Sequence, residues 1–366
     1  MKVLEVTNVD FALRQFILPL MRGVRERGHE VVGVCAEGNL LEPIRAEGLR
    51  VETVPMSRSL SPVAQFRAFV ALLALMRREK PDLVHAHMPI SGFLARIAAR
   101  AAGVPRIAYT CHGYLFNQPG PWWRRRLAIA LEWIAGRVTD VYLNVSAAEV
   151  EDARRLGLAR HPVAIGNGRD PGRFRPDAEA RARIRAGLGT SPERVVVVIV
   201  SRLVRAKGIP ELLAAVAATD AELWVVGERL ASDHDDSVEP EFAASTLGPR
   251  LKRLGYREDI PAILAAADLF ALPSHFEGLP MSIVEAMLVG LPVVASDLRG
   301  VREQVVDGET GLLFPARDVA SLTAALHRLV TDPERRRAMG EAGRARALEH
   351  FDERKIMART LDLLGL

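Results

Sequence analysis

Short apolar runs rich in β-branched residues alternate with helical patterns along almost the whole chain. The runs stand at Val31–Cys35, Asp82–His85, Arg106–Thr110 and Asp140–Val145, and again at Val195–Ser201, Glu222–Val226, Asp268–Leu272 and Pro292–Ala295. A strand apolar on both faces must be covered on both, and helices between the strands supply that cover. The pattern therefore predicts an α/β fold with parallel sheets. One core seldom serves more than roughly 250–300 residues, so 366 residues predict two doubly wound, Rossmann-like units. Gly166, Gly168, Pro171, Gly172, Pro176, Gly187 and Gly189 crowd one stretch, after which the alternation restarts. The expected domains are 1–168 and 169–350. A C-terminal helical segment, 351–366, could cross back to the first domain.

Composition removes several function classes. Hydrophobic residues make up 49% of the chain, which supports buried cores rather than disorder. The net charge of +4 suits an anionic ligand but is too small to argue for nucleic acid. Cys35 and Cys111 form no disulfide framework or zinc spacing, which points to a reducing, cytoplasmic setting. The Phe16 to Met21 run is too short and badly placed for a secretory signal. No run approaches the ~20 apolar residues that span a bilayer.

Open α/β sheets bind ligands beyond the carboxyl ends of their strands. Ser201-Arg202-Leu203-Val204-Arg205-Ala206-Lys207-Gly208 follows the most apolar strand run. Arg202 and Lys207 there could neutralise phosphate, Arg by forking two oxygens and Lys as a compact charge. A solvated basic loop is the competing reading. Glu277 falls in the loop after the run ending near Pro273, and Glu285 lies about one and a half turns into the helix that Pro280 introduces. With Gly278 ahead of it, that helix start is a natural anion site. Carboxylates accept hydroxyl hydrogen bonds, so sugar or ribose hydroxyls suit Glu277 and Glu285. A helix cap and a surface pair are the alternatives. His112, beside Gly113, follows another strand. His85 and His87 share one face of an earlier strand, but the sequence offers no evident third ligand for a metal there.

The assembled motifs resemble the retaining family 4 glycosyltransferases of GT-B architecture. The likeness covers nearly the whole chain and is densest from Asn167 to Pro315. It rests on the Glu-x7-Glu segment Glu277–Glu285, on Ser201-Arg202-Leu203 with Lys207-Gly208, and on Leu254 to Ile260. Ala265 to Leu269, Asp307 to Leu313 and the turn Asn167-Gly168-Arg169-Asp170 complete it. The resemblance implies two Rossmann-like domains facing each other across a cleft. It implies a nucleotide-sugar co-substrate, UDP before GDP, and no metal or other cofactor. Arg202 and Lys207 would neutralise the donor diphosphate, and Glu285 would bond the ribose. Glu277, with the amides near Gly278 and Leu279, would hold the donor sugar, with Ser201 and Met281 alongside. The backbone at Arg257 would frame the base, and His112 would lie near the reacting face. The implied acceptor is a glycan or a polyprenyl-linked sugar of envelope or exopolysaccharide synthesis.

Two stretches depart from the family pattern. The Gly-Gly loop after the first strand reads Thr7-Asn8-Val9-Asp10-Phe11-Ala12-Leu13-Arg14, and Gly-Gly-x-Pro-Glu reads Arg299-Gly300-Val301-Arg302-Glu303. Pro121-Trp122-Trp123-Arg124-Arg125-Arg126-Leu127 opens a helix with Trp123, Leu127, Leu131 and Ile134 on one face. Tryptophan with arginine suits the headgroup boundary of the inner membrane. Phe66 to Arg78 has a similar mixture, and packing of both on the sheet is the alternative. A binding protein that has lost turnover and an epimerase or phosphorylase of the same architecture are rival readings. Intact Glu277, Glu285, Arg202 and Lys207 argue against the first.

Overall fold

A computed structural model describes residues 1–56, 61–118, 120–229 and 236–366. The chain divides into two compact units, Met1–Gly166 with Arg354–Leu366, and Asn167–Glu353.

The first unit carries β1 (Lys2–Val6), β2 (Glu30–Cys35), β3 (Arg50–Thr53), β4 (Leu83–His87), β5 (Arg106–Cys111), β6 (Val141–Asn144) and β7 (Pro162–Ala164). They pair in parallel in the order β3-β2-β1-β4-β5-β6-β7. Side chains alternate across a strand. Leu4, Val32, Val84 and Ile107 enter the core on one face, and Val3, Val31, Leu83 and Ala108 the core on the other. Along this second face apolar residues give way to polar ones toward the carboxyl ends. Val3 is followed by Glu5, Leu83 by His85 and His87, and Ala108 by Thr110. Glu5 pairs in register with His85, and His87 with Thr110.

The second unit carries β8 (Val196–Val200), β9 (Glu222–Val226), β10 (Leu251–Gly255), β11 (Leu269–Leu272), β12 (Val293–Ser296) and β13 (Gly311–Phe314). Their parallel order is β10-β9-β8-β11-β12-β13. Each sheet thus reverses its strand order once, between β1 and β4 and between β8 and β11. Loops leaving the carboxyl ends of those strands diverge there and open a crevice.

The final helix, Glu353–Leu364, belongs largely to the first unit. Met357 and Leu361 pack onto Gly23, and Arg27 donates to Asp362 at 2.7 Å. Just before it, Arg169 N–H donates to Phe351 O at 3.1 Å and Arg169 O accepts from Glu353 N–H at 3.1 Å. The two strands of chain that join the units therefore lie side by side.

The stretch Thr7–Arg14 is helical from Asp10, with a π-helical turn over Leu13–Ile17. Its Asp10 carboxylate accepts from Leu40 N–H at 3.1 Å, which ties this loop to the one after β2.

Candidate functional site

At the switch point of the second sheet, β8 and β11 are neighbours and their following loops touch. After β8, Ser201 N–H donates to Val226 O at 3.0 Å, and Arg202 stands exposed at the strand's end. The chain then makes a tight 3-10 turn, Arg205–Lys207, that stops at Gly208 with φ 70°. Only glycine fits there, since a Cβ would stand 2.0 Å from Pro273 O in the loop after β11. This contact brings Lys207 to Glu277. Lys207 Nζ donates to Glu277 Oε1 at 2.6 Å, and Ser274 Oγ donates to the same oxygen at 2.6 Å. Both charged side chains are mostly buried, 18% and 10% exposed, so solvent screens them weakly. Glu277 is a partner of Lys207, not a helix cap.

Neighbouring segments hold the Glu277 loop. Asn167 Nδ2 donates to Leu279 O at 3.4 Å, and Gln304 Nε2 to Pro280 O at 2.9 Å. Gly300, within the variant stretch Arg299–Glu303, passes so near that a Cβ on it would fall 1.3 Å from Gly278 O. The glycine of that stretch is thus needed for a close backbone approach. Pro280 is the N-cap of the helix Met281–Val289, and no side chain caps this end. Met281 opens the helix and Glu285 is its fifth residue. Glu285 is 8% exposed, so it is not a surface residue. Its Oε1 accepts from Arg169 Nε at 2.6 Å. Sequence reasoning placed Arg169 in a turn without seeing this pairing, which joins residues 116 apart. Arg257 lies apart, after β10, where its guanidinium forks onto Asp259 at 2.7 and 2.6 Å.

His112 belongs to the other unit. It ends a buried chain that begins at Glu5, which the sequence reading missed. Glu5 Oε2 lies 2.7 Å from His87 Nε2 and 3.0 Å from His85 Nδ1. His87 Nδ1 lies 3.2 Å from His112 Nε2, and His85 Nε2 lies 2.8 Å from Thr110 Oγ1. Burial pushes the Glu5 carboxyl up, but the attraction of His85 and the hydrogen bonds of both imidazoles outweigh it and hold Glu5 at about 2. Burial, aided by repulsion from His85, pushes His87 down to about 4 against the pull of Glu5. Burial and then His87 and His85 drive His112 well below the ordinary imidazole range.

Glu5 is also the third potential ligand that the sequence did not reveal beside His85 and His87. The three offer ligand atoms within 4.8 Å of one another. Separations of 2.7 and 3.0 Å are hydrogen-bond lengths, and we read the group as a hydrogen-bonded set. A charged residue inside the apolar strand Lys2–Val6 was the available signal. It mattered only because β4 pairs with β1.

Residues 180–346 match the family model described as Glycosyl transferases group 1, and residues 14–173 match the one described as Glycosyltransferase Family 4. The chain is 30% identical over 346 residues to the UDP-Gal:alpha-D-GlcNAc-diphosphoundecaprenol alpha-1,3-galactosyltransferase of Escherichia coli, covering 90% of this chain and 87% of that one. It is 35% identical over 290 residues to the GDP-mannose-dependent alpha-(1-6)-phosphatidylinositol monomannoside mannosyltransferase of Mycolicibacterium smegmatis, covering 73% and 72%. The solved structure of Anabaena Alr3699/HepE in complex with UDP and glucose matches with a TM-score of 0.87 at 24% identity, over 100% of this chain and 99% of that one. This last likeness is one of fold.

Proposed function

The chain belongs to the group 1, family 4 glycosyltransferases of GT-B fold, and we propose that it moves a sugar from a UDP-sugar to a polyprenyl-diphosphate-linked or glycan acceptor of envelope or exopolysaccharide synthesis. The observation that carries this reading is the Lys207–Glu277 pair beside the uncapped start of the helix Met281–Val289, with Glu285 one turn further on. Breaking the sugar–phosphate bond builds charge on the departing diphosphate. Fixed cations and a helix N-terminus stabilise that charge more in the transition state than in the ground state. Arg202 and Lys207 supply the cations, in the role a divalent ion plays in other transferases. The Glu277 carboxylate accepts from donor-sugar hydroxyls, and Glu285, oriented by Arg169, accepts from the ribose. The backbone after β10 frames the base. Attack and departure take place on the same sugar face, so configuration is retained, and no side chain is assigned as general base. The E. coli relative's name carries both UDP-Gal and a diphosphoundecaprenol acceptor, which favours this donor and acceptor class.

A thermal-shift screen in EDTA against UDP, GDP and ADP, with their common sugar conjugates, tests the donor. A ligand at 100 times its Kd adds about 2.7 kcal/mol. UDP is expected to raise Tm in wild type and not in Glu285→Ala. A rise with GDP alone would reassign the nucleotide, and no rise with any would leave a binding module without a donor site as the better reading.

The acceptor class calls for contact with a bilayer, and the first unit has a surface suited to it. In the helix Trp122–Gly136, Glu132, Ala135 and Gly136 are buried. Trp122, Trp123, Leu127, Trp133 and Ile134 are exposed, so this apolar face does not pack on the sheet. Arg124, Arg125, Arg126 and Arg137 stand among them. Val63, Phe66 and Val70 are exposed on the helix Pro62–Glu79. Among the described residues no helix is long and apolar enough to cross a membrane. We propose peripheral binding to the anionic cytoplasmic face of the inner membrane. The protein is expected to float with anionic liposomes, and Trp122→Ala with Trp123→Ala to sediment. Wild type left in the bottom fraction would remove the idea.

A further inference from the structure

The geometry points to Glu5 and His87 as positioning residues that hold His112 in one tautomer, with Nε2 protonated and Nδ1 left as a hydrogen-bond acceptor. This inference deepens the proposed transfer reaction and rests on it for the identity of the substrate.

Glu5 is wholly buried and His87 nearly so. An ionised carboxylate has no proton to give, so at 2.7 Å the proton between them belongs to His87 Nε2. A neutral imidazole protonated at Nε2 has a lone pair at Nδ1. His87 Nδ1 faces His112 Nε2 at 3.2 Å, and the same logic makes His112 Nε2 the donor. His112 is then left with its lone pair at Nδ1. Depressed basicity at His87 and His112 agrees with both rings being neutral. His85 fixes the origin of the chain. Its Nδ1 donates to Glu5, and its Nε2 is engaged by Thr110 Oγ1 at 2.8 Å. Phe16, on the π-helical turn, lies beside the His112 ring with centroids 6.4 Å apart.

The consequence is one of specificity. An Nδ1 acceptor takes a proton-bearing group, so a ligand that meets His112 must offer it a hydroxyl or an N–H. The partner that orients a functional histidine decides which nitrogen is available.

Imidazole ¹⁵N spectra of the whole wild-type protein test the tautomers directly. The expected pattern is Nε2–H with a bare Nδ1 on both His87 and His112. A His112 protonated at Nδ1, or charged at neutral pH, would overturn the inference whatever the variants do. The kinetic arm compares wild type with His87→Phe in hydrolysis of UDP-galactose or UDP-glucose. We expect kcat/KM to fall about 10–100-fold, the cost of losing an orienting partner, while the Tm rise caused by UDP alone, which carries no sugar, stays unchanged. Unaltered kcat/KM in a folded His87→Phe would sink the positioning role. If wild type itself gives no UDP shift, the donor reading fails, and the spectra still decide the tautomer chain.

Discussion

Lys207→Ala is expected to lower kcat/KM for sugar transfer by about 10²–10³-fold, the cost of removing one preorganised charge partner from a developing anion, or roughly 2.7–4 kcal/mol. Lys207 is placed by a tight turn that Gly208 allows, against the loop after β11, and its side chain is 18% exposed. Its substitution acts twice. In the reaction proposed above it withdraws a cation from the departing diphosphate, and it leaves the Glu277 carboxylate, 2.6 Å away in wild type, without its counter-ion. The double variant Lys207→Ala with Glu277→Gln should therefore lose less than the sum of the two singles. The non-additivity measures their coupling. Steady-state kinetics with a saturating acceptor decide the matter. A loss under threefold in Lys207→Ala would remove this lysine from the transition state and leave it a structural partner of Glu277.

Glu132→Ala is expected to cost roughly 3–5 kcal/mol of stability, because it strands a buried cation. Arg96 is fully buried, and its Nη2 donates to Glu132 Oε2 at 2.9 Å. Its guanidinium carbon lies 3.7 Å from the centre of the Tyr109 ring, and Nε donates to Gly92 O at 2.9 Å. The Tyr109 hydroxyl donates to Glu132 Oε1 at 3.3 Å and the Tyr142 hydroxyl to Oε2 at 3.1 Å. One carboxylate thus satisfies three donors. Replacing Arg96 and Glu132 together by Met and Leu removes both charges, and should recover most of the loss while the two tyrosine hydroxyls remain short of a partner. Chemical denaturation of the three variants measures this. A single-variant loss under about 1 kcal/mol would show that water reaches Arg96 and that the network is not the anchor of the helix Trp122–Gly136.

Most strands were readable in advance, because a parallel strand covered on both faces is a near-continuous apolar run. Val196–Val200 and Glu222–Val226 are examples. The Glu277–Glu285 spacing and the basic loop after β8 were readable too, since each lies within one stretch of chain. Other features could not be read this way. Glu5, Arg96 and Glu132 look like ordinary charged residues when only their neighbours in sequence are known. Arg96 and Glu132 sit in helices that carry other arginines, Arg100 in the first and Arg124, Arg125 and Arg126 in the second.

By itself the sequence determined most of the strands, the organisation into two sheets and the loops that end beyond the strand tips. Those properties follow from local periodicity and from turn residues. Only the tertiary structure decided the partners. Strand order set Glu5 opposite His85, helix packing enclosed Arg96 with Glu132, and the crossing at residues 167–170 brought Arg169 to Glu285. The physical reason is the same each time. A buried charge is tolerable only with a specific partner, and sequence periodicity carries no information about which distant segment will supply it.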